Sequence, residues 1–255
     1  LSFLPGQRVS ACTCANTNVP ADHPGPSPSK GRGAPEIDVI EAQIDTTNRE
    51  GQASQSFQVA PFNALYQFDN SSSAVNITDK SITKFNPFKG SITQQAISGV
   101  TQLGTEAYGG KAFQKYGYEW WSNPGNRDEG YISWYVGNKT SWSLNPKAVG
   151  PEKKTEISQR IIPEEPMSLV FNLGMSPGFQ PADFQNLVFP ARMLVDYVRI
   201  YQKDGVEDGL TCNPKAYPTS DYIQAHLNAY QNANLTTWKQ AGYSFPGNSL
   251  LGQCT

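Results

Sequence analysis

Residues 36–44 read EIDVIEAQI, in which Ile37, Val39, Ile40 and Ile44 interleave with Glu36, Asp38, Glu41 and Gln43. β-Branched residues at near-alternate positions are what a half-buried, pleated strand accommodates. Outward from this stretch, residues 36–203 repeat the theme, with short β-prone runs separated by turn clusters, the pattern of a sandwich or barrel. The clearest runs are 36–44, 54–59, 113–121, 130–136, 168–175 and 193–202, the last reading MLVDYVRIYQ. Residues 1–35 are rich in Pro, Gly and Ser and read as irregular loop. In the tail, Ser220 is expected to cap one helix, with Ile223, Leu227 and Tyr230 on a single face. The expectation is an all-β sandwich: a loop over 1–35, the sandwich over 36–205, and a helical and loop extension over 206–255 packed on it.

Composition narrows the function classes. Twenty basic and 22 acidic residues in 255 leave a net charge of -2. No basic run offers a phosphate footprint, which excludes nucleic acid as a partner. No stretch of 18 apolar residues exists, so no membrane span is expected within this chain. The sequence opens at Leu1 without Met, and LSFLPGQRVS lacks the basic head and apolar core of a signal peptide. Processing from a longer product is expected. Four cysteines and four N-x-S/T sequons, at Asn70, Asn76, Asn138 and Asn234, point to the secretory pathway and the cell surface or exterior. Cys12 and Cys14 are too close to bridge each other without strain. Cys212 opens the tail and Cys254 nearly closes it, so a bridge between them is expected, closing a loop of about 42 residues. Cys12 and Cys14 would then stay free or pair outside the chain. No cysteine or histidine spacing suits zinc, and neither metal nor cofactor is expected.

The chemistry concentrates in the three acids of EIDVIE. Carboxylates resist burial without partners, so three in an otherwise apolar strand are costly. On a regular strand Glu36 and Asp38 share a face and Glu41 points to the other. A β-bulge between Asp38 and Glu41 would bring all three to one face, and bulges re-aim side chains at active sites. Two convergent carboxyls about 5–5.5 Å apart are the geometry of retaining glycoside hydrolysis. The middle aspartate would hold a proton that keeps the two glutamates in different ionisation states. The competing reading is a calcium-binding or merely solvated acidic strand.

The stretch GRGAPEIDVIEAQ resembles the catalytic strand of glycoside hydrolase family 16, a family with a β-jelly-roll (concanavalin A-like) fold. LPGQRVSACTC and DHPGP before it, SQSFQVAPFN after it, and the tail YPTSDYIQAHLNAYQNANLTTW are similar to one branch, the fungal Skn/Kre-type proteins of cell-wall β-glucan assembly. YGYEWW, YISWYVGNK and MLVDYVRIYQ resemble the successive core strands of that family. The resemblance implies that Glu36 is the nucleophile, Asp38 the assisting acid and Glu41 the general acid/base. It implies a β-1,3- or β-1,6-glucan substrate. It also implies that strands preceding these residues in a longer, membrane-anchored protein complete the sandwich, making that N-terminal remainder a partner. Many hydrolytic relatives carry a histidine on the next strand, where this chain reads SQSFQVAPFN.

Sugar rings stack on exposed aromatic faces, and Trp120, Trp121, Trp134, Trp142 and Trp238 are the candidates. Trp134 and Tyr135, in a strongly strand-like run, are expected in the core. Alternation sends Trp120 and Trp121 to opposite faces, and Trp121 is taken as the sugar contact, with Asn172 on the concave face as a second. Two function classes follow. One is a retaining β-glucan hydrolase or transglycosylase; the other is a non-catalytic jelly-roll module that binds glucan or scaffolds wall assembly.

Overall fold

The computed structural model describes residues 11–18, 21–23, 25, 27–33, 35–60, 63, 65–89 and 96–255. Among them, eight strands form two antiparallel sheets that face each other across one apolar layer. The first sheet has the order β1 (Glu36–Asp45), β2 (Glu50–Gln58), β5 (Ala96–Gln102), β4 (Thr83–Phe85). The second has the order β3 (Val75–Ile77), β8 (Lys139–Leu144), β7 (Tyr131–Val136), β6 (Tyr116–Trp121). Among the described residues, short α-helical turns α1 (Thr105–Tyr108), α2 (Ser220–Ala225) and α3 (Leu227–Gln231) are accompanied by three single 3-10 turns, at Arg127–Glu129, Pro146–Val149 and Ser249–Leu251. This is the expected all-β sandwich with a helical tail.

Phe57 and Ile97 of the first sheet meet Ile132, Trp134, Trp142 and Leu144 of the second, all buried. Trp134 and Trp142 lie directly opposite each other on β7 and β8 and stack at 4.1 Å with their planes 6° apart. Gly99 must be glycine for a packing reason. A Cβ there would approach the Trp142 indole to 2.6 Å. Gln55 is buried in this apolar layer yet fully engaged: its amide nitrogen donates to the carbonyls of Val39 and Tyr135, and its oxygen accepts from Ser141 Oγ. One side chain thus ties β1, β7 and β8 together, as burial of an amide requires. Arg160 is buried likewise, donating to the Val59 carbonyl and lying 4.2 Å over the Tyr66 ring.

Several expectations are corrected. Residues 168–175 and 193–202 form no strand, and Leu169, Val170, Phe171, Val195, Val198 and Ile200 are all exposed. No described strand pairs with either segment, and a strand's stability lies in its neighbours rather than in its own composition. Four strands went unread. β5 is interrupted by Gly99, β8 has only two apolar residues, Trp142 and Leu144, and β3 and β4 have three residues each. In the tail, Thr219 rather than Ser220 occupies the N-cap position, and the helix breaks at His226. That ring is buried among Tyr222, Trp238 and Tyr243 at 4.3–4.8 Å.

The expected Cys212–Cys254 bridge is also overturned, because Cys254 pairs with Cys14. The tail returns to the start of the described chain, where the Cys14 N–H donates to the Gly247 carbonyl and the Ser249 N–H to that of Cys12. Those bonds bring Cys14 and Cys254 to a Cα separation of 5.4 Å, while Cys212 is exposed and Cys12 half-buried, both as thiols. Asn70, Asn76, Asn138 and Asn234 are all exposed.

Candidate active site

β1 is an edge strand of its sheet, and its register with β2 decides where its acids point. Glu36 lies opposite Gln58, Asp38 opposite Ser56 and Glu41 opposite Ser54. Between Asp38 and Glu41 the register shifts, so Val39 and Ile40 together oppose Gln55. This is a β-bulge of one extra residue, and it returns Glu41 to the face of Glu36 and Asp38. Two buried donors hold it from the core side. Trp134 Nε1 donates to the Asp38 carbonyl at 3.0 Å, and Gln55 Nε2 to the Val39 carbonyl at 3.0 Å. The partners Ser54 and Gln58 are four residues apart, which at about 3.3 Å per residue places the glutamate Cα atoms roughly 13 Å apart. Their side chains therefore reach each other only by leaning over Asp38.

A cavity of about 220 Å3 opens over this face, lined by Glu36, Glu41, Ser56, Gln58, Asn86, Phe88, Ala96 and Ser98. Its floor is built from short hydroxylic side chains. Ser98 Oγ is 2.8 Å from Ser56 Oγ and 3.0 Å from Ser54 Oγ, and Asn86 Nδ2 donates to both Ser54 and Ser98. Phe88 stands at the rim, edge to face with Phe179 at 5.8 Å. The next residue, Gln180, closes the open edge of β1: it accepts from the Ile44 N–H and donates to the Ile44 carbonyl.

Two of the three carboxyls, Asp38 and Glu41, are perturbed by their surroundings. Asp38 is pushed up to about 8, first by burial, then by the charges of Glu41 and Glu36 and by a hydrogen bond to Glu36. Gln58 Nε2, donating to Asp38 Oδ2 at 3.4 Å, works weakly the other way. Burial and the neighbouring Glu36 charge also raise Glu41, against a bond from Ser56. At neutral pH Asp38 is thus chiefly a neutral acid, and its proton is engaged with Glu36. Among the described residues, no group of three or more His, Cys, Asp or Glu is placed to hold a metal ion.

The two expected sugar contacts lie elsewhere. Trp121 pairs with Tyr131 on the outer face of the second sheet, opposite in sense to the buried Ile132, and Lys203 Nζ covers its ring at 4.5 Å. Strand alternation freed Trp121 from the core as expected, but it stands on the second sheet, not on the one that carries the acids. Asn172 is exposed in an unpaired segment and does not line the cavity. Unread were Ser54, Ser56 and Gln58, although the alternation in SQSFQ across from the acids was a usable signal.

A family model described as "Beta-glucan synthesis-associated protein SKN1/KRE6/Sbg1" matches residues 1–254. The chain is 45% identical over 259 residues to the beta-glucan synthesis-associated protein KRE6 of Saccharomyces cerevisiae, covering all of this chain and 34% of that one. It is 44% identical to SKN1 of the same yeast, covering all of this chain and 32% of that one. Against SKN1 of Candida albicans the identity is 42%, over 99% of this chain and 33% of the relative. The chain therefore spans about a third of the length of these relatives. No solved structure matches it. No helix among the described residues is long and apolar enough to cross a membrane. Matched along its whole length by the family model and by relatives above 40% identity, the chain belongs to the SKN1/KRE6/Sbg1 family.

Proposed function

We propose that this chain carries the catalytic strand of a retaining β-glucan hydrolase or transglycosylase of the glycoside hydrolase family 16 type, acting in fungal cell-wall β-glucan assembly. The observation that carries the reading is the bulge, which sets Glu36, Asp38 and Glu41 on one face of β1, with Glu36 and Glu41 lining one cavity. The Glu36 carboxylate attacks the anomeric carbon while Glu41, as a carboxylic acid, gives its proton to the departing glycosidic oxygen. The bond to the leaving sugar breaks as the Glu36 ester forms. Glu41, now a carboxylate, takes the proton of an incoming water or sugar hydroxyl, whose oxygen displaces Glu36 from the anomeric carbon. Asp38 keeps its proton throughout and donates a hydrogen bond to Glu36, stabilising the carboxylate that the ester releases in the second step. Burial and the neighbouring charge, which raise Glu41, favour the protonated form that the first step needs. No Lys or Arg among the described residues lines the cavity, which suits a neutral glucan better than an anionic polysaccharide. The relatives' printed names support β-glucan as the substrate class, and the exposed sequons support a secretory-pathway location.

The test is incubation of the full-length protein and its Glu36→Gln variant with defined β-1,3- and β-1,6-gluco-oligosaccharides, with products separated by mass and linkage. New chain lengths or shortened chains from the parent protein alone are expected. Unchanged oligosaccharides that bind but are never cleaved would favour the non-catalytic glucan-binding module.

A further inference from the structure

Away from the acidic cleft, the tail holds a second depression, of about 270 Å3, lined by Ala229, Tyr230, Leu235, Thr236, Thr237 and Trp238. Its lining is uncharged, and it borders the sequon Asn234-Leu235-Thr236, whose second and third residues form part of its wall. Asn234 itself is exposed on a tight turn, where the Leu235 N–H donates to the Asn232 carbonyl and the Asn234 N–H to Asn232 Oδ1. We propose that Asn234 is an N-glycosylation site whose first N-acetylglucosamine seats in this depression against Tyr230 and Trp238.

The aromatic wall is prepared for such a ring. Trp238 is held by its neighbours, near-parallel to Tyr222 at 6.2 Å and tilted against His226 at 4.8 Å and Tyr243 at 5.0 Å. His226 is pinned in turn, its Nδ1 2.7 Å from the Tyr222 carbonyl. A fixed indole loses little freedom when a ligand covers it, and Tyr230 stands 55% exposed beside it. Aromatic faces take the apolar C–H face of a sugar while the surrounding hydroxyls stay wet. A sugar linked to Asn234 arrives at high effective concentration, so a shallow site suffices. The other sequons sit in different settings among the described residues. Asn138 sits on the β7–β8 turn with its Oδ1 accepting from Lys115 Nζ, Asn76 is inside β3, and Asn70 lies among Asp69, Ser71 and Ser73.

The experiment uses the full-length protein made in a eukaryotic secretory host. Glycopeptide mapping reads occupancy at Asn234, and an endoglycosidase then trims each glycan to its first N-acetylglucosamine, with the acetyl group 13C-labelled. We expect Asn234 to be occupied. The acetyl methyl resonance that disappears in Asn234→Gln should show an upfield ring-current shift, lost in Tyr230→Ser. If Tyr230→Ser does not fold, the shift in the parent protein decides. An unoccupied Asn234, or an occupied one with its methyl at the free-sugar position, would overturn the proposal. So would β-gluco-oligosaccharides that quench tryptophan fluorescence in the parent and not in Trp238→Phe, since they would assign the depression to free glucan.

Discussion

Asp38→Asn is expected to stabilise the protein at neutral and alkaline pH while impairing any turnover. Unfolded, an aspartate releases its proton near pH 4. Folded, Asp38 keeps it to about pH 8, so between those limits the native state binds one proton more than the unfolded state. The slope of unfolding free energy against pH is then negative: the contribution is fully present below about pH 4 and is lost as pH rises toward 8. A shift of about four pH units corresponds to on the order of 5 kcal/mol at 1.36 kcal/mol per unit. Sharing of the proton with Glu36 and residual solvent contact reduce the realised effect to roughly 2–3 kcal/mol. The amide of Asn keeps a donor for Glu36 and never has to be charged, so the variant should lack this slope. Melting temperatures of parent and variant from pH 5 to 9 check it, the difference between the two isolating Asp38 from every other titration. Parallel curves would refute the buried, proton-holding role of Asp38.

Other outcomes follow from the same contacts. Trp134→Phe keeps the apolar stack but removes the donor to the Asp38 carbonyl, and should cost about 1–3 kcal/mol, read by chemical denaturation. Because that donor holds the bulge, its loss should also lower turnover, whereas Trp142→Phe should not. Cys14→Ser opens a ring of 240 residues, worth about 5 kcal/mol at most in the chain-entropy model. Non-reducing peptide mapping should find Cys14 joined to Cys254, and finding Cys212 in that bridge would contradict the arrangement. Residues 1–255 expressed alone should bind a hydrophobic dye and self-associate, since Val170, Phe171, Val195 and Val198 present an unpaired apolar surface. A monodisperse monomer that binds no dye would contradict this.

The acid triplet was legible because its spacing is unusual: two acids two apart and a third three further on make geometric sense only with a bulge. β1, β2, β6 and β7 were legible from β-branched and aromatic runs, though β2 was placed late because EGQA at its start carries no such signal. The segments at 168–175 and 193–202 show the limit of that reasoning. Composition reports how well a chain suits a pleated surface, not whether a neighbour is there to pair with it. Trp121 shows another limit, since alternation predicts a face but not which of two sheets bears it. The Cys14–Cys254 bridge was hidden because sequence proximity favours the shorter loop, while the tail's backbone bonds to residues 12–14 decide the matter in space.

In the proposed mechanism Glu36 forms a covalent bond to the anomeric carbon. A 2-deoxy-2-fluoro β-gluco-oligosaccharyl fluoride slows release of such an ester, and peptide mass spectrometry of the full-length protein treated with it locates the label. One glycosyl group is expected on the peptide containing Glu36, with Glu36→Gln unlabelled under the same conditions. A parent protein that turns over β-glucan yet carries the label on another residue, or none with inverted products, would contradict it.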